Sequence, residues 1–195
     1  MPYASCIERC GQKPIEFTGT AIDWLNSTTA DQQRIETVLA LKISTDDVLL
    51  HVGVGNSKLA QRFHERVSWI EGITLGGTEG QLAKSFGIPN YNVHRINKYD
   101  ETLTSRMQHL PYNFIIDNNP ASYACCVYHF HTMMRNYVAM LGAGGKILTD
   151  KAGLSHVGLS NDPNWDLIDD LDRIAKRFDL TLIAETDFVY SLGVA

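Results

Sequence analysis

No stretch of the 195 residues comes near the ~20 consecutive apolar positions that a membrane-spanning helix requires. The expectation is a chain that does not enter a membrane. The opening segment MPYASCIERCGQKP lacks the basic-then-apolar layout of a secretory signal, which points to the cytoplasm. Basic residues are in deficit, with 17 Lys and Arg against 22 Asp and Glu and a formal net charge of −5. A broad phosphate-contacting surface needs clustered cations, so nucleic acid is disfavoured as a partner. Cysteine is scarce. Cys6, Cys10, Cys125 and Cys126 have no second Cys or His pair at zinc-finger spacing, and in a reducing compartment they read as free thiols. There is no internal repeat, no low-complexity tract and no Pro/Gly/Ser linker that would divide the chain. One domain over residues 1–195 is expected, with 1–45 as an N-terminal helical or lid segment.

What is present is ordinary globular composition, 44% hydrophobic and 20% charged. At this length roughly 70% of the unfolded chain's surface is buried on folding. The segment TTADQQRIETVLALKI offers Thr28 or Thr29 as a cap and predicts a helix with Ile35, Val38, Leu39 and 41–43 on one side. Apolar runs then alternate with helical segments. Val48–Val52 precedes a helix over about 57–66; Trp69–Leu75 precedes a short helix in GTEGQLAKSFG; Tyr91–Ile96 and YNFIID at 112–117 follow. A long helix over about 122–141 leads to GGKILTD at 144–150. Nearly continuous apolar strands alternating with helices mark a parallel sheet covered on both faces. The tail reads as an amphipathic helix beginning near Pro163, then LTLIAET and FVYSLGVA separated by about Asp187 alone, an antiparallel hairpin. The fold class is therefore α/β, doubly wound, with a mostly parallel seven-stranded sheet ending in a C-terminal antiparallel hairpin.

The first strand runs into a glycine turn, VLLHVGVGNSKLA, at the carboxyl edge where open α/β sheets bind ligands. Gly53 and Gly55 allow close approach of a ligand to the backbone, and N–H groups opening a helix favour an anion. The same pair of glycines also serves simply to tighten a strand-to-helix turn. A dinucleotide fingerprint would place a third glycine where Lys58 stands, and the P-loop spacing is absent, so neither a nicotinamide cofactor nor a nucleoside triphosphate is expected.

From about residue 30 to 195 the arrangement resembles the class I S-adenosylmethionine-dependent methyltransferases. In that family an acid-x-G-x-G-x-G turn follows the first strand, matched here by HVGVGNS, and the sheet ends in an antiparallel hairpin. The resemblance implies a Rossmann-like sheet, S-adenosylmethionine as cofactor and a cofactor site built from His51, Gly53, Gly55, Ser57, Thr74, Asn97 and Asp100. His51 stands in place of the family's usual acid and Ser57 in place of its third glycine. Thr74 falls near the position of a ribose-binding acid, with Glu71 and Glu79 the next candidates. His51 has two readings, a strand residue satisfied by a backbone carbonyl or a ligand-facing group. Asn97 and Asp100 follow the third strand, where the family contacts the adenine edge, and either also suits a cap.

Reacting groups belong after the fourth and fifth strands. Asp117 and Asp150 end those strands and are expected on one rim of the sheet. DNNPASY has a likeness to the Asn-Pro-Pro-Tyr motif of amino-directed methyltransferases in Asn119, Pro120 and Tyr123, without the second proline. Asp117 and Asp150 also match the metal-binding positions of catechol-type O-methyltransferases. There Lys151 replaces an Asn, and its ammonium would oppose a hard cation, so no metal is expected. His156 is the candidate base, Asp117 a positioning or catalytic acid, and Tyr123 a group to orient the substrate. The expected function is methyl transfer from S-adenosylmethionine to a small molecule. The alternative is a non-catalytic binding or assembly protein on the same fold, which the missing acids at 51 and near 74 would suit. With so little chain outside the core, residues 1–30 and 151–165 close the pocket, or a second copy or partner subunit does.

Overall fold

The computed structural model describes residues 26–122, 127–151 and 171–194. Helix α1 (Ala30–Leu39) precedes β1 (Val48–Val52). Next come α2 (Lys58–Phe63) with a 3-10 turn over His64–Arg66, β2 (Trp69–Thr74), α3 (Gly77–Ser85) and β3 (Tyr91–Arg95). The short α4 (Leu103–Arg106), β4 (Tyr112–Ile116), α5 (Val127–Met140) and β5 (Leu141–Asp150) follow. The chain then passes through α6 (Leu171–Arg177), β6 (Thr181–Ala184) and β7 (Val189–Gly193).

Seven strands pair in the order β3-β2-β1-β4-β5-β7-β6. β1 to β5 are parallel, and β7 runs antiparallel between β5 and β6. This is the doubly wound sheet with a terminal hairpin that the alternation of runs predicts. Its physical basis is visible within β1. Successive side chains of a strand point to opposite faces, and here both faces are covered. Leu49 packs with Ile35 and Leu39 of α1 and with Leu59 and Phe63 of α2. Leu50 packs on the other face with Phe130, Met133 and Tyr137 of α5 and with Ile174 of α6.

Several boundaries differ from expectation. α1 stops at Leu39, and Leu41, placed by its hydrophobicity on the buried side, is 86% exposed. β5 begins at Leu141, directly after α5. Its pairing with β4 jumps from Tyr112–Leu141 to Phe114–Lys146, so the glycine-rich residues 142–145 are taken up in a bulge rather than in a loop. Gly145 suits this crowding, since a Cβ there would lie 2.9 Å from the carbonyl oxygens of Tyr112 and Gly142. The last two strands are separated by residues 185–188 rather than by Asp187 alone. Thr186 Oγ1 accepts the Val189 N–H at 2.9 Å and closes that turn. Thr29 is the N-cap residue of α1 but its side chain makes no cap bond.

The four cysteines, Tyr123, His156 and, of the proposed lid segments 1–30 and 151–165, residues 1–25 and 152–165 lie outside the described residues. Among the described residues no helix is long and apolar enough to cross a membrane.

Candidate functional site

A cavity of about 760 Å³ opens at the carboxyl ends of β1, β2, β3 and β4, within the range of small-molecule and cofactor sites. The β1–α2 turn forms its floor. Gly53 (φ 72°), Gly55 (φ 48°) and Ser57 (φ 56°) all adopt left-handed backbone, which lets the chain reverse within five residues. The turn is fixed by the Gly53 N–H donating to the Ile73 carbonyl at 2.9 Å and the Ser57 N–H donating to the Val54 carbonyl at 2.8 Å. Asn56 Oδ1 accepts the N–H of Lys58, the first residue of α2, at 3.1 Å and so satisfies one of its free donors.

Helix α1 is tied over this floor. Asn56 donates to Thr28 Oγ1 at 3.3 Å, Asn118 donates to Asp31 Oδ2 at 2.7 Å, and Arg34 donates to Asp150 at 2.8 Å. Gln32 and Glu36, one helical turn apart on α1, enter the cavity wall although both are nearly fully buried. On the β2 side the Thr74 hydroxyl donates to the Glu79 carboxylate of α3, and Thr74 Oγ1 accepts the Gly76 N–H at 3.1 Å. Glu79, not Glu71, is thus the acid that reaches the cavity. Glu71 sits elsewhere in the sheet. Its carboxylate accepts the Gln108 and His109 N–H groups, the Tyr112 hydroxyl at 2.5 Å and the His94 imidazole at 2.7 Å.

Beyond β3, Asn97 lines the cavity while its Oδ1 accepts the Tyr99 N–H at 3.0 Å. Lys98 crosses to the loop after β4. Its ammonium donates to Asp117 Oδ2 at 3.1 Å, to the Asn119 carbonyl at 2.6 Å and to Ser122 Oγ at 3.3 Å. Burial lowers the Lys98 pKa, against the opposing pull of Asp117. Asp117 also accepts the Tyr137 hydroxyl at 2.8 Å and the Asn119 N–H at 3.1 Å. A carboxylate with donors on both oxygens is a fixed strut between β3, β4 and α5.

The structure therefore brings His51, Gly53, Gly55, Thr74, Asn97 and Asp117 to one cavity. Ser57 and Asp100 stand apart from its wall. Ser57 is fully buried with its hydroxyl 3.1 Å from that of Tyr91. Asp100 turns to the start of α4, accepting the Thr102 N–H at 2.8 Å and hydroxyl at 2.7 Å. The capping alternative describes Asp100. Asp117 and Asp150 end neighbouring strands but serve opposite faces, Asp117 bound to Tyr137 of α5 and Asp150 to Arg34 of α1. They do not converge as two ligands of one cation. Glu36 and Lys98 carry much of the site and were not singled out from the sequence, and Asn119, noted there only for its motif likeness, joins them in the wall. The signal available for Glu36 was the Gln32–Glu36 pair at helical spacing on the apolar face of α1.

The chemistry of the wall tests which ligand fits. Among the described residues its carboxylates are Glu36, Glu79 and Asp117, and its one Lys or Arg is Lys98, which is bound to Asp117. Two further acids and no further cation suit a cationic, donor-rich ligand with a diol, and disfavour a polyphosphate. His51 adds an unmet demand, because it is 3% exposed and its Nδ1 has no hydrogen-bond partner among the described residues. Burial pushes the His51 pKa down to about 4, so the ring is neutral near pH 7. Asn119 Oδ1 is a second buried atom in the wall with no hydrogen-bond partner among the described residues.

No family model matches the chain, and no curated protein matches it in sequence. Solved structures do match. The N-methyltransferase NodS from Bradyrhizobium japonicum WM9, in complex with S-adenosyl-L-homocysteine, is 12% identical, with a TM-score of 0.62 over 96% of this chain and 95% of that one. SMU.1697c, a putative methyltransferase from Streptococcus mutans also in complex with S-adenosylhomocysteine, is 11% identical, with a TM-score of 0.52 over 86% and 99%. The [4+2]-cyclase SpnF is 14% identical, with a TM-score of 0.56 over 78% and 59%. At such identities the likeness is one of fold: the chain folds as class I S-adenosylmethionine-dependent methyltransferases do.

Proposed function

We propose that this protein is an S-adenosylmethionine-dependent methyltransferase acting on a small-molecule acceptor. The observation that carries the reading is the wall of the cavity. A glycine turn with left-handed backbone at Gly53 and Gly55 lies between two acids of the wall, the buried Glu36 and the half-buried Glu79, and among the described residues the one Lys or Arg of that wall, Lys98, is bound to Asp117. A sulfonium-bearing nucleoside with an ammonium and a ribose diol meets each of these features. A dinucleotide or nucleoside triphosphate meets a carboxylate instead. When bound, the cofactor supplies an electrophilic methyl group on sulfur.

In this reading Gly53 and Gly55 admit the ligand against the backbone, and Thr74 with Glu79 binds the ribose hydroxyls. Asn97 stands by the base. Asn119, held through its carbonyl by Lys98, presents Oδ1 to an acceptor N–H or O–H. Asp117 acts through Lys98 and Tyr137 as a positioning residue, since its lone pairs are already engaged. Proton removal, where the acceptor carries a proton, falls to His156, with Tyr123 orienting the acceptor. Both of these assignments rest on sequence position after the fifth and fourth strands. The rival reading, a member of the fold that no longer needs cofactor, drew its support from acids missing at 51 and near 74. Glu36 of α1 and Glu79 of α3 supply acids to the same cavity, which removes that support.

The test is calorimetric titration of the full chain with S-adenosylmethionine, S-adenosylhomocysteine, NADH and ATP. Saturable one-to-one binding of the first two alone is expected. Heats with NADH or ATP only, or with none of the four, would overturn the assignment. Given binding, His156→Ala is expected to lower turnover by ~10²–10⁴-fold with cofactor affinity unchanged.

A further inference from the structure

We propose that Glu36 of α1, together with His51 of β1, forms the subsite that holds the ammonium of the cofactor's amino-acid end. The inference rests on the S-adenosylmethionine reading and deepens it.

The placement follows from the pleat. Leu49 and His51 are two residues apart on β1 and so share a face, and Leu49 packs beneath Ile35 and Leu39 of α1 and Leu59 and Phe63 of α2. His51 therefore points under the same two helices, next to the glycine turn. Glu36 is adjacent to Ile35 on α1, and both His51 and Glu36 line the cavity while being 3% and 4% exposed. Thr74 and Glu79 lie on the other side of β1, toward β2 and α3. The two acids flank the turn, so a ligand that meets both spans it.

Neither group is fully served by the protein. Glu36 Oε1 accepts from Gln32 Nε2 at 3.3 Å and Oε2 from Arg62 Nη1 at 3.3 Å. Charge-assisted bonds usually lie at ~2.7–2.9 Å, and the Arg62 side chain is half exposed. A carboxylate this deeply buried with only long contacts stands in a costly environment unless a donor arrives. His51 Nδ1 has no partner at all among the described residues. A neutral imidazole has one acceptor nitrogen, and an ammonium carries three N–H donors and a positive charge. One cation between Glu36 and His51 completes both groups. A carboxylate in that place would face Glu36 and be repelled.

The experiment compares two ligands that differ only at this end, S-adenosylhomocysteine and 5′-methylthioadenosine, titrated calorimetrically into the full-length protein. Glu36→Gln is expected to weaken S-adenosylhomocysteine at least tenfold and methylthioadenosine less than twofold. His51→Leu fills the same space without an acceptor. It is expected to weaken S-adenosylhomocysteine severalfold and leave methylthioadenosine unchanged, which keeps the test open should Glu36→Gln fail to fold. Equal losses for both ligands, or no loss for S-adenosylhomocysteine, would overturn the subsite while the cofactor reading stands. Failure of the unmodified protein to bind either ligand would remove the cofactor reading and the subsite with it.

Discussion

Gly72 in the middle of β2 and Val54 in the β1–α2 turn are in such close contact that a Cβ at position 72 would lie 2.6 Å from Val54 Cγ1. Val93 Cγ2 at 3.0 Å and Tyr91 Cε2 at 3.2 Å close the other sides. Val54 is 1% exposed and stands between the two glycines of the cavity floor. The conformation of the turn is therefore set partly from the neighbouring strand.

Gly72→Ala is expected to destabilise the fold by ~1–3 kcal/mol, as overpacking does, and to weaken S-adenosylhomocysteine by displacing Val54. Urea unfolding and calorimetry measure the two effects. Unchanged affinity would show that the turn and β2 are uncoupled.

Gly55 has a φ of 48° and lines the cavity. A β-branched residue is strained in left-handed backbone and would project into the ligand's space. Gly55→Val is expected to retain the far-ultraviolet circular dichroism of the native chain and to lose measurable S-adenosylhomocysteine binding. Native-like affinity would place the ligand away from this turn.

His51 gives the stability a defined pH dependence. Its pKa is about 4 in the folded chain, against 6.5 for an ordinary histidine. Between those values the unfolded chain binds a proton that the folded chain does not. The contribution is complete above about pH 6.5 and declines toward about pH 4 by up to ~1.4 kcal/mol per pH unit. Urea unfolding of the native chain and of His51→Gln from pH 7.5 to 4.5 should show two curves whose separation changes only below about pH 6.5. Parallel curves would mean that the imidazole is not sequestered in the native state.

Glu71 is fully buried and accepts two backbone N–H groups, the Tyr112 hydroxyl and the His94 imidazole. In Glu71→Gln one of those oxygens becomes a donor facing donors, with an expected loss of at least ~1–3 kcal/mol. Because the group lies outside the cavity wall, ligand affinity extrapolated to the fully folded state should be unchanged. A thermal midpoint equal to that of the native chain would contradict this picture of the network.

The strand order was legible because both faces of the central strands are buried, so that runs such as Val48–Val52 and 112–116 are apolar except at His51 and Asn113. The glycine turn was legible for the same reason that Gly53 and Gly55 are needed, a backbone conformation other residues resist. What escaped is tertiary. Nothing local in TVLALKI separates Leu41 from Leu39, yet one is exposed and the other in the core. The roles of Glu71 and Glu79 depend on which neighbours cross the sheet to meet them. Asp100 reads equally well as a ligand and as a cap until Thr102 is seen bonded to it. Lys98 is an ordinary loop lysine in sequence and becomes the link between two loops only when β3 and β4 are placed on either side of β1 and β2.

The position of β7 makes the edge of the parallel sheet depend on one strand. β6 precedes β7 in the chain, yet β6 joins the sheet only through β7, which fills the gap beside β5. Were β7 to detach, β6 would lose its partner and β5 would present an open edge. Such edges invite pairing with other chains, so loosening of this hairpin alone, with the parallel strands intact, is enough to expose the molecule to self-association.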